Sequence, residues 1–172
     1  MKYILPLLVL FNLSFATLIE INSFQADFKQ TVTDDKGAKL LYSGRVMAMN
    51  PQYARWEYFS PVNKSIYVAE NKIILIEPEI EQAIVRNASY NFNFFKILKS
   101  AKQVTKNSFS TFIEENEYLI KTNEKDMIAS ISYKDEFDNG VEIIFQNQTQ
   151  NANLSKSDFA PLIPKNYDVI EE

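Results

Sequence analysis

Carboxylates are the side chains of this 172-residue sequence whose spacing could support chemistry. Glu77, Glu79 and Glu81 alternate along a strand-like run, so they would share one face, where a glycosidase would hold its paired carboxylates. A second cluster, at residues 135–140, has the Asp, Asn and Gly residues of a calcium loop. Alternating glutamates are common on the solvated side of a strand, and Asp, Asn and Gly are also what a hairpin turn requires. We therefore interpret both clusters as structural.

The sequence contains neither histidine nor cysteine. This excludes a Ser-His-Asp triad, an imidazole base, a thiol nucleophile, a zinc cluster and a disulfide. Gly37, Gly44 and Gly140 are scattered, so no glycine-rich loop can cradle a phosphate. We predict that the protein is not an enzyme and has no cofactor and no bound metal. An exported hydrolase is the least favoured alternative.

The N-terminal residues 1–16 are typical of a secretory signal peptide. Lys2 precedes a mostly apolar run, and Ser14 and Ala16 are small residues at the expected cleavage site. Asn12, Ser14 and Glu20 interrupt the run too early for a membrane anchor. Cleavage would leave residues 17–172 as a single soluble domain. Without Lys2, 17 basic residues face 22 acidic ones, which argues against nucleic acid as a partner.

Strict alternation of apolar and polar residues is the main structural pattern. In the run from Tyr53 to Tyr58, Ala54, Trp56 and Tyr58 would share one face of a strand. Trp56 is the only tryptophan in the chain. Turn residues separate similar runs throughout the sequence, so an antiparallel meander is expected. The predicted strands cover residues 24–32, 40–49, 53–59, 65–69, 73–76, 108–113, 117–121, 127–134 and 141–147.

A helix is predicted over residues 91–106, where apolar residues recur at spacings of three and four. Asn91 or Asn93 could cap its N-terminus, and lysines follow toward its C-terminus. Leu18 and Ile21 suggest a second, brief helix before the first strand. An amphipathic helix on a curled sheet produces either a packed core or a covered pocket.

An ordered set of residues runs through the mature chain: Phe24 to Gln30, Gly37, Gly44, Pro51, Arg55, Trp56, Pro61, Ser65, Ile66, Val68, Pro78 to Ala83, and Phe159 to Ile170. This set resembles the LolA family of periplasmic lipoprotein carriers. No single motif is decisive, and the likeness is most specific between Phe24 and Ala83 and at the C-terminal tail.

The resemblance implies a mainly β fold, an incomplete and unclosed antiparallel β-barrel covered by short helices. It implies a chaperone of the Gram-negative periplasm that binds the acyl chains of lipoproteins released from the inner membrane and carries them to the outer membrane. The implied partners are acylated lipoproteins, an inner-membrane ATP-driven lipoprotein-releasing transporter and an outer-membrane acceptor. We expect a monomer. The alternative is a lipid-sensing or envelope-signalling domain on the same fold, which would bind acyl groups without transporting them.

Candidate site residues follow from the phase of the strands. The predicted lipid-binding face comprises Phe24, Ala26, Phe28, Ala54, Trp56, Tyr58, Ile66, Val68, Ile74 and Ile76. The predicted lid comprises Leu18, Ile21, Phe94, Phe95, Ile97 and Leu98, and it would exchange its side chains for acyl chains on opening. The alternative for the face is a solid core without a pocket. Members of the resembled family commonly have an arginine before the proline, associated with holding the lid shut, whereas this chain has Asn50, the candidate latch.

Overall fold

The computed structural model describes Leu18, residues 20–87 and residues 93–172. The predicted signal peptide lies outside these residues. One α-helix, α1 (Phe94–Ser100), lies among the described residues together with a twelve-stranded sheet. The strands are β1 (Ser23–Thr33), β2 (Lys39–Met49), β3 (Tyr53–Ser60), β4 (Lys64–Ala69), β5 (Lys72–Glu77), β6 (Gln82–Asn87), β7 (Lys102–Thr105), β8 (Ser108–Ile113), β9 (Asn116–Thr122), β10 (Ile128–Lys134), β11 (Gly140–Gln150) and β12 (Asp168–Glu171).

The sheet has the order β12-β6-β5-β4-β3-β2-β1-β11-β10-β9-β8-β7. Its neighbouring strands are antiparallel except β12, which lies parallel to β6. Within the described residues β12 and β7 do not pair with each other, so the sheet is not closed. The predicted unclosed, mainly β fold is thereby confirmed, with one α-helix in the described part of the chain.

The longest hairpin, β1 and β2, forms where the sequence provides turn chemistry. Asp34 Oδ1 accepts hydrogen bonds from the backbone N–H groups of Lys36 and Ala38, and Gly37 adopts a φ of 81°. A left-handed φ suits glycine because it has no Cβ. The turn places Phe28 opposite Gly44, and the other paired positions follow this register.

The two faces of the sheet pack against different segments. On the concave face, side chains of β1, β2, β3 and β8–β11 form the main core with α1. On the convex face, Tyr67, Ile76 and Ala83 form a second cluster, against which Ile163 and Tyr167 of the C-terminal segment pack. The same segment contributes Phe159, only 1% exposed, whose ring lies 5.7 Å from that of Tyr53.

The helix prediction for residues 91–106 is wrong in extent. Asn93 caps the helix, since its side chain accepts a hydrogen bond from Lys96 N–H, and Asn91 lies outside the described residues. The helix ends at Ser100, whose hydroxyl donates to the carbonyl of Lys96. The following segment is β7, because β-branched residues there favour an extended backbone.

The structure also corrects the strand predicted to carry three glutamates. Pro78 begins a short 3₁₀ helix, and Glu81 adopts a φ of 52°, so Glu77, Glu79 and Glu81 do not share a strand face. The chain then continues as β6, which we did not predict. The described residues contain no helix at Leu18 and Ile21, where a brief one was predicted. One backbone hydrogen bond, from the N–H of Ile21 to the carbonyl of Leu18, joins the two residues.

Candidate functional site

A cavity of about 210 Å³ lies on the concave face, on the side that α1 leaves uncovered. Most of its wall is apolar, and its polar contributions come from an amide, two phenols and a guanidinium. The lining residues are Gln30, Trp56, Tyr58, Ile66, Val68, Ile73, Arg86, Tyr133 and Ile143. A pocket that is mainly apolar with a few polar groups is typical of a small-molecule or lipid site.

Trp56 lies where the covered and uncovered parts of the concave face meet. Its ring contacts Phe28 edge to face at 5.2 Å, and the Phe28 ring in turn contacts Tyr58 at 5.1 Å. Beyond lining the cavity, Trp56 borders a gap of only about 20 Å³ with Phe94 and Phe95 of α1. One side of the indole therefore adjoins tightly packed helix side chains, and the other adjoins open space.

The predicted lid residues all lie in the concave core. Phe94, Phe95, Ile97 and Leu98 of α1 are at most 5% exposed, and Leu18 and Ile21 are each 4% exposed. The Phe94 ring lies 5.4 Å from that of Phe24. Burial of this kind contributes about 1.5–3 kcal/mol for each large apolar side chain. The helix is attached by its apolar face, and its release as a lid remains a prediction.

Asn50 connects α1 to the segment before β1. Its Oδ1 accepts a hydrogen bond of 3.1 Å from Lys99 Nζ, and its Nδ2 donates to Asn22 Oδ1 at 3.2 Å. Nearby, Asn93 Nδ2 donates to the Pro51 carbonyl. These bonds lie among exposed groups, where a hydrogen bond contributes only about 1 kcal/mol. The geometry is that of a weak latch, and the latch role stays a prediction.

Ile74 and Ile76 were wrongly assigned to the cavity face. Both pack in the convex cluster with Tyr67 and Ala83. The reason is the length of the β4–β5 turn, which the sequence pattern suggested has three residues. Ala69 pairs directly with Lys72, so the turn has two residues, and Glu70 adopts a φ of 54°. A shift of one residue moves every side chain of a strand to the opposite face.

The other predicted face residues lie on the concave side. Phe24, Ala26, Phe28 and Trp56 are buried in the main core, and the remaining four, Ala54, Tyr58, Ile66 and Val68, pack against it or line the cavity. Sequence reasoning missed Gln30, Ile73, Arg86, Tyr133 and Ile143. Gln30 was on a predicted strand in phase with Phe28, and this phase could have identified it.

Among the described tyrosines, the two that line the cavity, Tyr58 and Tyr133, have the largest rises in pKa. Burial among apolar side chains raises the pKa of Tyr58 from 10.0 to about 12, with the nearby Tyr42 adding to the shift. Burial also raises the pKa of Tyr133. Tyr58 donates a hydrogen bond to Gln30 Oε1 at 3.1 Å. A phenol of ordinary pKa is already neutral at physiological pH, so the raised pKa values extend this neutrality into the alkaline range.

We expect Tyr58→Phe to reduce the loss of stability at alkaline pH. Because the pKa of Tyr58 is higher in the folded protein than in the unfolded chain, the unfolded chain releases the phenol proton first. The protonated phenol therefore makes its full contribution to the free energy of unfolding below pH 10, and this contribution is lost as the pH rises toward 12. Between pH 9 and about pH 11.5, the free energy of unfolding of the unsubstituted protein should fall by about 2 kcal/mol more than that of the variant. Urea denaturation at both pH values measures this, and equal losses would contradict it.

The described part of the chain contains no group of three or more acidic side chains arranged to hold a metal ion. Asp135 Oδ1 instead accepts backbone N–H bonds from Phe137 and Asn139, which makes the suspected calcium loop a hairpin turn. None of the helices described is long and apolar enough to cross a membrane.

Comparison with known proteins identifies the family. The family model described as outer membrane lipoprotein carrier protein LolA matches residues 20–119, more than half of the chain. The chain belongs to the LolA family. It is 35% identical over 156 residues to the outer-membrane lipoprotein carrier protein of Campylobacter jejuni, covering 91% of this chain and 90% of that protein. The carrier protein of Wolinella succinogenes is 31% identical over 160 residues, covering 93% of each chain.

The fold of this LolA family member also has a solved counterpart. A crystal structure of an uncharacterized conserved protein from Thermus thermophilus superposes with a TM-score of 0.57. The match covers 93% of this chain and 96% of the other, at 12% sequence identity. This similarity supports the fold alone.

Proposed function

We propose that this LolA family member is a periplasmic chaperone that binds the acyl chains of lipoproteins released from the inner membrane and carries them to the outer membrane. The observation that carries the proposal is the divided concave face, which is covered by α1 on one side of Trp56 and open as an apolar cavity on the other. The names of the Campylobacter and Wolinella relatives support the same cargo.

The energetics of acyl chains explain why such a carrier needs this face. Each methylene left in water costs about 0.8 kcal/mol, so one chain of roughly fourteen carbons exposes about 11 kcal/mol. A soluble carrier must therefore bury the chain. The cavity of about 210 Å³ lies below the range of roughly 300–1,000 Å³ that is usual for ligand pockets. Uptake therefore requires α1 to move and to expose the face beneath it.

The affinity of the carrier for acyl chains is moderate, because the chains must displace α1 in order to bind. The four buried side chains of α1 occupy the face that acyl chains would occupy, so part of the binding energy is consumed in displacing them. A ligand shifts a conformational equilibrium only by its difference in affinity for the two states. A carrier of this kind can accept chains from one membrane and still release them to another.

The partners follow from this role. An inner-membrane ATP-driven lipoprotein-releasing transporter would load the carrier, and an outer-membrane acceptor would unload it. Residues 1–16 would direct export to the periplasm of a Gram-negative bacterium, and the carrier would act as a monomer.

Release of lipoproteins from membranes tests the proposal. Purified protein is added to spheroplasts or to inner-membrane vesicles that contain an active transporter, and soluble complexes with acylated lipoproteins are then isolated. We expect such complexes to form with the intact protein. If a homologous carrier releases lipoproteins from the same vesicles and this protein releases none, the proposal fails.

A photocrosslinking residue at position 66 is expected to capture acylated cargo. Ile66 pairs with Trp56 and lines the cavity, so a probe there faces the bound chain. The matched control is position 45, because Arg45 lies on β2 next to Val46 but points to the exposed convex face. Crosslinked products are separated by electrophoresis and probed for the lipoprotein. Equal labelling at both positions would mean that cargo does not enter the concave face.

A further inference from the structure

Arg86 is the one charged residue among those that line this mainly apolar cavity, and the carrier function does not account for it. The residue lies on β6, is exposed, and lines the cavity together with Val68 and Ile73. These three residues form one row across neighbouring strands, because Arg86 of β6 pairs with Ile73 of β5 and Ile73 pairs with Val68 of β4. The guanidinium thus lies at the end of an apolar row, at the rim of the cavity.

The chain has three arginines, and Arg86 differs from the other two in its partners. Arg45 forms an ion pair with Asp27, and Arg55 forms one with Glu57. No ion pair within the described residues includes Arg86. The register of β12 brings Glu172 near, because its N–H bonds to the Val85 carbonyl, but no ion pair joins it to Arg86.

Charged residues are rare on the concave face. Strands β1, β2, β3 and β11 contribute only apolar, aromatic, glycine or amide residues to that side. On β4 and β5, Lys64 and Glu77 share the side with Arg86 by strand alternation. Lys64 lies over the ring of Tyr58 at 4.9 Å and is therefore engaged by an aromatic partner. Among the described residues of this face, Arg86 is the cation left available to a ligand in the cavity.

We propose that the cavity binds a single-chain anionic amphiphile, whose acyl chain lies against Trp56 and Ile66 and whose carboxylate or phosphate pairs with Arg86. A guanidinium binds such groups through two parallel hydrogen bonds. The ester- and amide-linked chains of a lipoprotein carry no charge at their attachment, so this ligand is chemically distinct from the proposed cargo. The volume of about 210 Å³ suits part of one chain while α1 remains in place. Such a lipid would compete with lipoprotein for the same wall.

The only tryptophan supplies the test, because Trp56 lines the cavity. Tryptophan fluorescence of the purified protein is titrated with 12-bromododecanoate, whose bromine quenches an indole in contact, and with the methyl ester of the same acid. Dodecyl phosphate is then used to displace the bromo acid. We expect the carboxylate to bind about tenfold more tightly than the ester. The relative affinities of carboxylate and phosphate distinguish a fatty acid from a phosphate-bearing lipid.

Two arginine variants decide the assignment. Arg86→Met should reduce the affinity for the carboxylate by about tenfold and leave that for the ester unchanged. Arg45→Met makes the same change of charge on the convex face and should alter neither. Equal affinities for acid and ester in the unsubstituted protein, absence of quenching, or equal effects of the two variants would overturn the proposal. Because lipoprotein release is measured separately, a failure here would leave the carrier proposal intact.

Discussion

Crosslinking α1 to the sheet is expected to abolish lipoprotein release. Asn50 and Lys99 are in contact through a 3.1 Å hydrogen bond, and the chain has no native cysteine. A double variant, Asn50→Cys with Lys99→Cys, can therefore be joined by a short, reducible bis-maleimide. With α1 held in place, only the cavity of about 210 Å³ remains for acyl chains. We expect release to fall about tenfold or more and to return on reduction of the linker.

A second crosslinked pair controls for the chemistry. Asp27→Cys with Arg45→Cys joins two residues that form an ion pair at 3.3 Å on the convex face, the side of the sheet opposite to the one that α1 covers. This crosslink should leave release unchanged. The double variant at positions 50 and 99, before crosslinking, measures the effect of losing the latch bonds themselves. Full release by the locked protein would show that acyl chains enter without movement of α1.

Gly44→Ala is expected to have the largest effect on stability. A Cβ at this position would lie 2.0 Å from the backbone carbonyl oxygen of Glu57 and 2.8 Å from the Phe28 ring. The ring could turn aside, but the carbonyl belongs to the neighbouring strand and cannot move without disturbing the β2–β3 pairing, which already shifts register beside Gly44. We expect the free energy of unfolding to fall by about 3 kcal/mol or more.

Gly140→Ala is the matched control for this prediction. The position lies in β11, and the nearest atom to a new Cβ would be the Thr33 carbonyl oxygen at 4.0 Å, an ordinary contact. Alanine there should change the free energy of unfolding by about 0.5 kcal/mol or less, or stabilise slightly. Urea denaturation followed by the fluorescence of Trp56 measures both variants. If both glycines tolerated alanine equally, the close approach of β2 to β3 would be wrong.

Local alternation in the sequence was sufficient to predict most of the sheet. The run from Tyr53 to Tyr58 places Trp56 on the concave face because side chains in a strand alternate whatever the tertiary context. Turns rich in Asp and Gly, such as residues 34–37, also gave the correct hairpins. The family resemblance then supplied the unclosed topology, which no local pattern contains.

The errors arose where a local pattern left two solutions open. Lys72 could belong to a turn or to β5, and this single residue decides whether Ile74 faces the cavity or the convex side. The apolar spacing after Ser100 fits a helix, although Val104 is 63% exposed and lies in an edge strand. The position of Arg86 at the cavity could not be predicted from the sequence either, because no local pattern around this residue indicates that β6 borders a cavity.

The unclosed sheet has a consequence for how the protein behaves at high concentration. Two strands, β7 and β12, each lack a partner on one side within the described residues, and free N–H and C=O groups on such strands can pair with another molecule. Each of these strands has only four residues, all exposed, and they carry Lys102 on one edge and Asp168 and Glu171 on the other. Short, charged edges are poor templates for fibre growth or strand exchange. The barrel can therefore stay open to an apolar ligand, while its two edge strands do not promote aggregation through their unpaired backbone groups.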